Sequence, residues 1–277
     1  MLLELAIGDA FGSRFEMAPK RTVQLYNNGE DYGGKTGTYT DDTQLSIALA
    51  EIIIDDIDFT ISNIAQKFVE VFQRDPRKGY SRRMYQALSQ AKDGREFASL
   101  IEPTSERSGA AMRAAPLGVF STVDEVLEKS KIQAQVTHNS IMGVLSSHVA
   151  ALMAHYFLYD LGKKADVGKF VCNYVGMDQF FDSDWDQETV PNYGISCVLA
   201  AITAIKRSSS FKKLLVNCVA FTGDVDTVAA IAMGAASSCK EMKDDIPFEL
   251  YYKLENGTYG RDYLRELDKK LLAKVAR

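Results

Sequence analysis

The stretch Thr40-Asp41-Asp42-Thr43-Gln44-Leu45-Ser46-Ile47-Ala48-Leu49-Ala50-Glu51-Ile52-Ile53-Ile54 decides how the chain is read. Its apolar residues Leu45, Ala48, Leu49 and Ile52 recur at the intervals of one helix face. Its polar opening is a helix start, and Asp41 with Gln44 forms a capping-box pattern. The same period predicts helices over about 60–73, 80–91, 122–132, 139–161, 164–175, 193–207, 210–220, 225–238 and 261–275. No long alternating strand pattern interrupts them. Pro19, Pro76, Pro103, Pro116, Pro191 and Pro247 fall between these segments, as helix punctuation should. The expectation is an all-α fold of ten or so helices. No repeat or low-complexity linker divides the chain, so residues 1–277 read as a single domain.

Composition narrows the function classes. The 277 residues are 46% hydrophobic and 25% charged, which excludes wholesale disorder. Thirty-two Lys and Arg face 37 Asp and Glu, a formal net charge of −5 that argues against general nucleic-acid or anionic-membrane binding. The opening MLLELAIGDAFGSRFE lacks a basic flank and runs into Asp9, so it does not read as a signal peptide. Apolar windows such as 45–54 are shorter than the about 20 residues of a membrane span. A soluble, cytoplasmic protein is expected. Cys172, Cys197, Cys218 and Cys239 lack the close spacing of a zinc knuckle or redox pair and read as buried free thiols. Only His138, His148 and His155 are present, without an HExxH pattern. His148 and His155 share a helix face and read as structural. The loop-like stretches are 17–40, rich in glycine (Gly29, Gly33, Gly34, Gly37), 101–117 and 177–192. Trp185 lies in the last, as a pocket rim or an exposed aromatic. The basic run from Arg74 to Arg83 suits a phosphate or a solvated surface.

Two acidic motifs carry the strongest chemical signal. Thr40-Asp41-Asp42-Thr43 precedes the helix at 45–54, and Gly223-Asp224-Val225-Asp226-Thr227 precedes another apolar helix. Capping accounts for either motif alone. A cap needs one short polar residue, however, and here four carboxylates and several hydroxyls stand at two helix starts. Hard oxygen ligands in that number suit Mg²⁺ or Mn²⁺. Juxtaposition of the two motifs would make a two-metal site, which spacing by itself cannot establish. Gly8-Asp9-Ala10-Phe11-Gly12-Ser13-Arg14-Phe15-Glu16 adds two carboxylates. Ser108-Gly109-Ala110-Ala111-Met112-Arg113 opens a helix that could present N–H groups to a phosphate. Thr137-His138-Asn139 precedes a long apolar helix.

In this order, GDAFGSRFE, TYTDDTQLSIALAE, SGAAMRAAPLG, THNSIMGV and GDVDTVAAIAMGA resemble the ADP-ribosylglycohydrolase family, from Gly8 to at least Gly234. The resemblance implies an all-α orthogonal multi-helix bundle around a dinuclear Mg²⁺ or Mn²⁺ centre. It implies that Thr40, Asp41 and Asp42 ligate metal from one side and Asp224, Asp226 and Thr227 from the other. Glu16, with Asp41 and Asp226, would serve the chemistry. Ser108, Gly109 and Gly223 would bind substrate, and His138 would lie near the distal ribose or its phosphates. The implied reaction removes ADP-ribose from an acceptor, foremost an arginine of a modified protein, with serine, nucleic acid or small ADP-ribosyl compounds as the other acceptors. A catalytically weak ADP-ribose- or toxin-binding immunity protein of the same fold is the alternative. Ser108 stands where the family usually has Asn, and Thr222 where it usually has Gly. The Asp-Ile-Gly motif of nitrogenase-related members is absent, and Lys78-Gly79-Tyr80-Ser81-Arg82-Arg83 occupies its place. The proton-transfer partner and the oligomeric state stay open.

Overall fold

A computed structural model describes residues 1–18 and 37–275. The glycine-rich part of the 17–40 loop, with Pro19, Gly29, Gly33 and Gly34, lies outside the described residues. The helices are α1 (Leu2–Gly12), α2 (Asp41–Ile54), α3 (Ile61–Arg74), α4 (Arg82–Gln90), α5 (Gly94–Leu100), α6 (Gly109–Met112), α7 (Val123–Gln135) and α8 (Ile141–Leu158). They continue with α9 (Val167–Val175), α10 (Gly194–Arg207), α11 (Phe211–Val219), α12 (Val225–Ala236), α13 (Phe248–Lys253) and α14 (Arg261–Leu272). Among the described residues only isolated β-bridges occur, so the fold is all-α as expected. All ten periodic segments are helices. The periodic reading missed α1, α5, α6 and α13. The last three are too short to show a period, and α1 is buried on every side, so it has none to show.

Central and outer helices differ in how their residues are distributed. Every residue of α12 is buried, and so are all residues of α1 except Glu4. Helices apolar all round belong at the centre of a bundle. In α2 the expected single face proves too narrow, because Asp42 through Ile53 are all buried. Its buried Glu51 is answered by Arg74 and by the hydroxyl of Tyr263. Outer helices are amphipathic: α3 buries Ile64, Ala65, Phe68, Val69, Val71 and Phe72, and α14 buries Leu264, Leu267 and Leu271. Helix α8 corrects the view that no segment reaches membrane-spanning length. Its 18 residues are long and apolar enough by length and composition, but 72% of them are buried inside the fold. It is a core helix.

One crossing positions the site. Gly8 and Gly12, a turn apart on α1, face α12 without side chains between the backbones. A Cβ at Gly8 would lie 2.5 Å from the Ala229 carbonyl oxygen, and one at Gly12 would lie 2.5 Å from the Asp226 Cα. The matched order, 8 with 229 and 12 with 226, makes the helices antiparallel. The C-terminal end of α1 therefore meets the acidic N-terminus of α12. Gly12→Ala should destabilise the fold by about 1–3 kcal/mol through overpacking. Urea unfolding beside Gly257→Ala, where a Cβ meets nothing within 4 Å, provides the comparison. Equal midpoints for the two variants would refute the close-crossing account.

Candidate metal centre

Asp9 organises the first half of the site. It is fully buried on α1, one turn before the crossing with Asp226. Its carboxylate accepts hydrogen bonds from the Thr40 N–H (2.8 Å), the Thr40 hydroxyl (2.8 Å), the Thr43 N–H (3.2 Å) and the Thr43 hydroxyl (2.6 Å). Asp9 thus caps α2 from another helix, where the dipole favours negative charge. The Asp41–Gln44 capping box does not form. Thr40 occupies the N-cap, and Gln44 turns away to donate to Val71 O and Asp75 O and to accept from the Tyr80 hydroxyl. Freed from capping, Asp41 and Asp42 face the cavity. Gly79 (φ +99°) lies against Asp41, where a Cβ would sit 2.0 Å from Oδ1.

The second half is built on a kink before α12. Thr222 (φ 61°) and Gly223 (φ 87°) both lie in the left-handed region. Such a conformation is costly for a β-branched residue. Thr222 is held there by its hydroxyl's bonds to Glu188 O (3.2 Å) and Thr189 Oγ1 (3.1 Å). Backbone bonds between Val190 and both Thr222 and Asp224 fix the turn, and Met17 N–H donates to Gly223 O at 3.0 Å. That last bond sets Glu16 beside Asp224. Buried Cys197 donates its S–H to Asp224 Oδ2 at 3.3 Å. Candidate ligand oxygens of Glu16, Asp224 and Asp226 all lie within 4.8 Å of one another.

Both halves line one cavity of about 560 Å³. Glu16, Asp41, Asp42, Asp224, Asp226 and Thr227 stand at one end, and Ser108, Gly109, Arg113 and His138 line it elsewhere. Two expected site residues are not on its wall. Gly223 is a backbone pivot against Val190, where a Cβ would come within 2.1 Å of the carbonyl oxygen. Thr40 points its hydroxyl proton at Asp9, which leaves its lone pairs available. The phosphate reading of Ser108 is also altered. Helix α6 is a single turn, and the Ser108 N–H already donates to Asn192 O.

Burial lifts Asp41, Asp42 and Asp226 well above the usual carboxylate range, reinforced by Asp9 for the first two and by Asp224 for the third. Asp42 Oδ2 is buried without a hydrogen-bond partner. An orphaned carboxylate oxygen amid like charges is expensive for an apolar interior. An oxygen-only donor set of this kind fits a hard divalent cation. Thr40, Asp41 and Asp42 would hold it from α2, and Asp224, Asp226 and Thr227 from α12. Glu16 is the exposed carboxylate of the group, with its pKa raised by partial desolvation and by Asp224 and Asp9.

Other motifs take structural roles. All four cysteines are buried and free. His148 bonds Ser130 and His155 bonds Gly118 O. Arg74 pairs with Glu51, and Arg77 pairs with Asp75 and Glu255; Arg83, paired with Glu102, is the basic side chain of the run on the cavity wall, beside Gly79, Tyr80 and Ser81. Trp185 is buried and lines a different cavity, with Arg207 and Phe221; its backbone N–H donates to Thr203 Oγ1, and its indole N–H has no partner among the described residues. Cys197 and Asn192 were missed by sequence reasoning, because an apolar helix and an ordinary loop gave no signal.

The raised carboxylates set a pH dependence. The fold binds their protons more tightly than the unfolded chain does, so stability falls as pH rises from about 4 through the folded values. The metal-free melting temperature should fall between about pH 5 and pH 8. Mn²⁺ at neutral pH should restore it, and Asp42→Asn should flatten the profile. Calorimetry showing a metal-free rise across that window would contradict the assignment.

Comparison with known proteins identifies the family and the fold. A model of the ADP-ribosylglycohydrolase family matches residues 1–277. ADP-ribosylhydrolase ARH3 of Xenopus tropicalis is 26% identical over 172 residues, covering 57% of this chain and 49% of that protein, so the match spans about half the relative's length. ADP-ribosyl-[dinitrogen reductase] glycohydrolase of Rhodospirillum rubrum is 26% identical over 96% of this chain and 92% of its own. ADP-ribosylarginine hydrolase Tri1 of Pseudomonas putida is 24% identical over 83% of this chain and 67% of its own. A solved structure described as an ADP-ribosylglycohydrolase-related protein complex superposes with a TM-score of 0.74 at 21% identity, over 99% of this chain and 96% of that one, and bears out the fold. With its five motifs in order and its acidic helix starts on one cavity, the chain belongs to the ADP-ribosylglycohydrolase family.

Proposed function

We propose that this chain is a divalent-metal-dependent hydrolase that removes ADP-ribose from a modified acceptor, foremost an arginine side chain of a protein. The observation that carries the reading is the shared cavity: carboxylates from α1, α2 and α12 stand at one end of a space that also holds Ser108, Gly109 and His138. Its volume suits a nucleotide-sized ligand. Two Mg²⁺ or Mn²⁺ ions held by Thr40, Asp41, Asp42, Asp224, Asp226 and Thr227 would supply Lewis-acid polarisation. The names of the arginine and dinitrogen-reductase relatives support a protein-linked substrate.

The chain's own residues divide the remaining work. The glycosidic bond breaks through an oxocarbenium-like state. Asp41, Asp42, Asp224 and Asp226 would act as ligands that fix the cations at the cavity wall, not as free charge beside the ribose. Glu16 is the general acid–base group, because it alone of the cluster is exposed and can exchange a proton with water. Asp9 stays out of the chemistry, its carboxylate occupied by Thr40 and Thr43. Ser108 and Gly109 contact the diphosphate side, and Cys197 orients Asp224 through its S–H. We read the protein as a cytoplasmic single domain without general nucleic-acid or membrane affinity.

Release of ADP-ribose from an ADP-ribosyl-arginine protein should occur with Mg²⁺ or Mn²⁺ and stop in EDTA. Asp41→Asn and Asp224→Asn should lose bound metal and reduce activity by about 10²-fold or more while remaining folded. Full activity in either variant would reject the two-metal reading. Metal binding without release from any ADP-ribosyl linkage would favour the binding or immunity role.

A further inference from the structure

Among the described residues Arg113 is the largest fully buried side chain, and it lies on the cavity wall. It has no carboxylate within ion-pair distance among the described residues. Its guanidinium instead packs over the Phe68 ring at 4.6 Å and donates three hydrogen bonds. Nε reaches Gln133 Oε1 at 2.6 Å, and Nη2 reaches Gln133 O at 3.1 Å and Thr137 Oγ1 at 2.9 Å. Gln133 is held in turn, with its amide donating to Ala110 O and to Ser147 Oγ. A buried cation aimed at a hydroxyl rather than a carboxylate fixes which way that hydroxyl turns.

Thr137 Oγ1 also lies 2.6 Å from His138 Nδ1. A guanidinium offers only donors, so it cannot take the Thr137 proton. Thr137 is buried, and the other atom in reach of its hydroxyl is His138 Nδ1. A proton on Nδ1 would strand the Thr137 O–H in the interior, a cost that buried polar groups avoid. Nδ1 therefore accepts, and the ring proton sits on Nε2. The opposite ring edge passes over Gly109, where a Cβ would lie 2.8 Å from Cε1 and 3.1 Å from Nε2. Nε2 makes no hydrogen bond to the described protein, although it is not sealed in the interior, and His138 lines the cavity.

We propose that Arg113, acting through Thr137, locks His138 in its Nε2–H tautomer, so that His138 is an obligate neutral donor to an acceptor oxygen of the bound ligand and not a proton-transfer group. Arg113 and Thr137 are positioning residues in this arrangement, and His138 is the contact. Burial and the nearby Arg113 charge also hold the His138 pKa down to about 3, which keeps the ring neutral. The oxygen it meets is a phosphate or ribose oxygen, a point that rests on the proposed function. The tautomer does not.

The test uses the full chain labelled with ¹⁵N-histidine. Three histidines make a simple spectrum, and His138→Gln assigns the signal. The ligand-free protein should show His138 protonated at Nε2 and unprotonated at Nδ1. Thr137→Ser, which keeps the hydroxyl, should preserve this signature and bind ADP-ribose within about twofold of the parent. Thr137→Val should mix the tautomers and weaken ADP-ribose binding by about tenfold. A proton on Nδ1 in the parent protein overturns the lock without any folding question about variants. Unchanged tautomer and affinity in Thr137→Val overturn the role of the relay. An intact Nε2–H with no response to ADP-ribose leaves the lock standing and counts against the proposed function instead.

Discussion

The structure depends on a carboxylate that, among the described residues, is answered by hydrogen bonds and not by a basic side chain. Asp9 is buried on α1 and satisfied by two N–H groups and two hydroxyls from residues 40 and 43. Charge-assisted hydrogen bonds to an anion are strong, and an unanswered buried carboxylate is costly, so the fold and this interaction stand or fall together. Because Asp9 caps α2 from outside, Asp41 and Asp42 are released from the task their position in the sequence suggests. Because Asp9 lies between Gly8 and Gly12, the same turn of α1 that holds α2 also sits against the start of α12.

The cavity is electrically divided as a result. One end concentrates carboxylates whose repulsion and burial make the metal-free state uncomfortable, with Asp42 Oδ2 left without a partner. Elsewhere on the wall Arg113 is buried within the field of Asp41, and His138 is presented neutral. That division suits a ligand with hydroxyls at one end and phosphate or ribose oxygens at the other. It also separates residues that meet ligand from residues that aim them. Cys197, Thr137, Gly79 and Gly223 belong to the second group.

The motifs themselves were legible in the chain. TDDT and GDVDT announced carboxylates at helix starts, and the ten periodic segments are helices. Helices α5 and α13 were not legible, since six or seven residues do not establish a period; α6, at four residues, showed only its start; and α1 was hidden because it is buried on nearly every side. Gly223 stands at a turn whose φ and close approach to Val190 are properties of the folded backbone that the motif does not show. Asp41 with Gln44 looked like a capping box, but the cap comes from a residue thirty positions away. Cys197 and Asn192 gave no local signal, since their partners are distant in sequence.

The sequence by itself determined the class of structure and the kinds of ligand atoms, because helical period and residue chemistry are local properties. Hydrophobic spacing makes helices wherever they pack, and Asp and Thr are oxygen donors in any context. Only the tertiary structure decided that α1 and α12 cross through glycines. It alone decided that the two acidic starts share one cavity, and that Thr137 stands between a buried arginine and a histidine. Those are distances between residues far apart in the chain. They are set by which backbones can approach closely and which buried polar groups must find partners, and no local pattern encodes either.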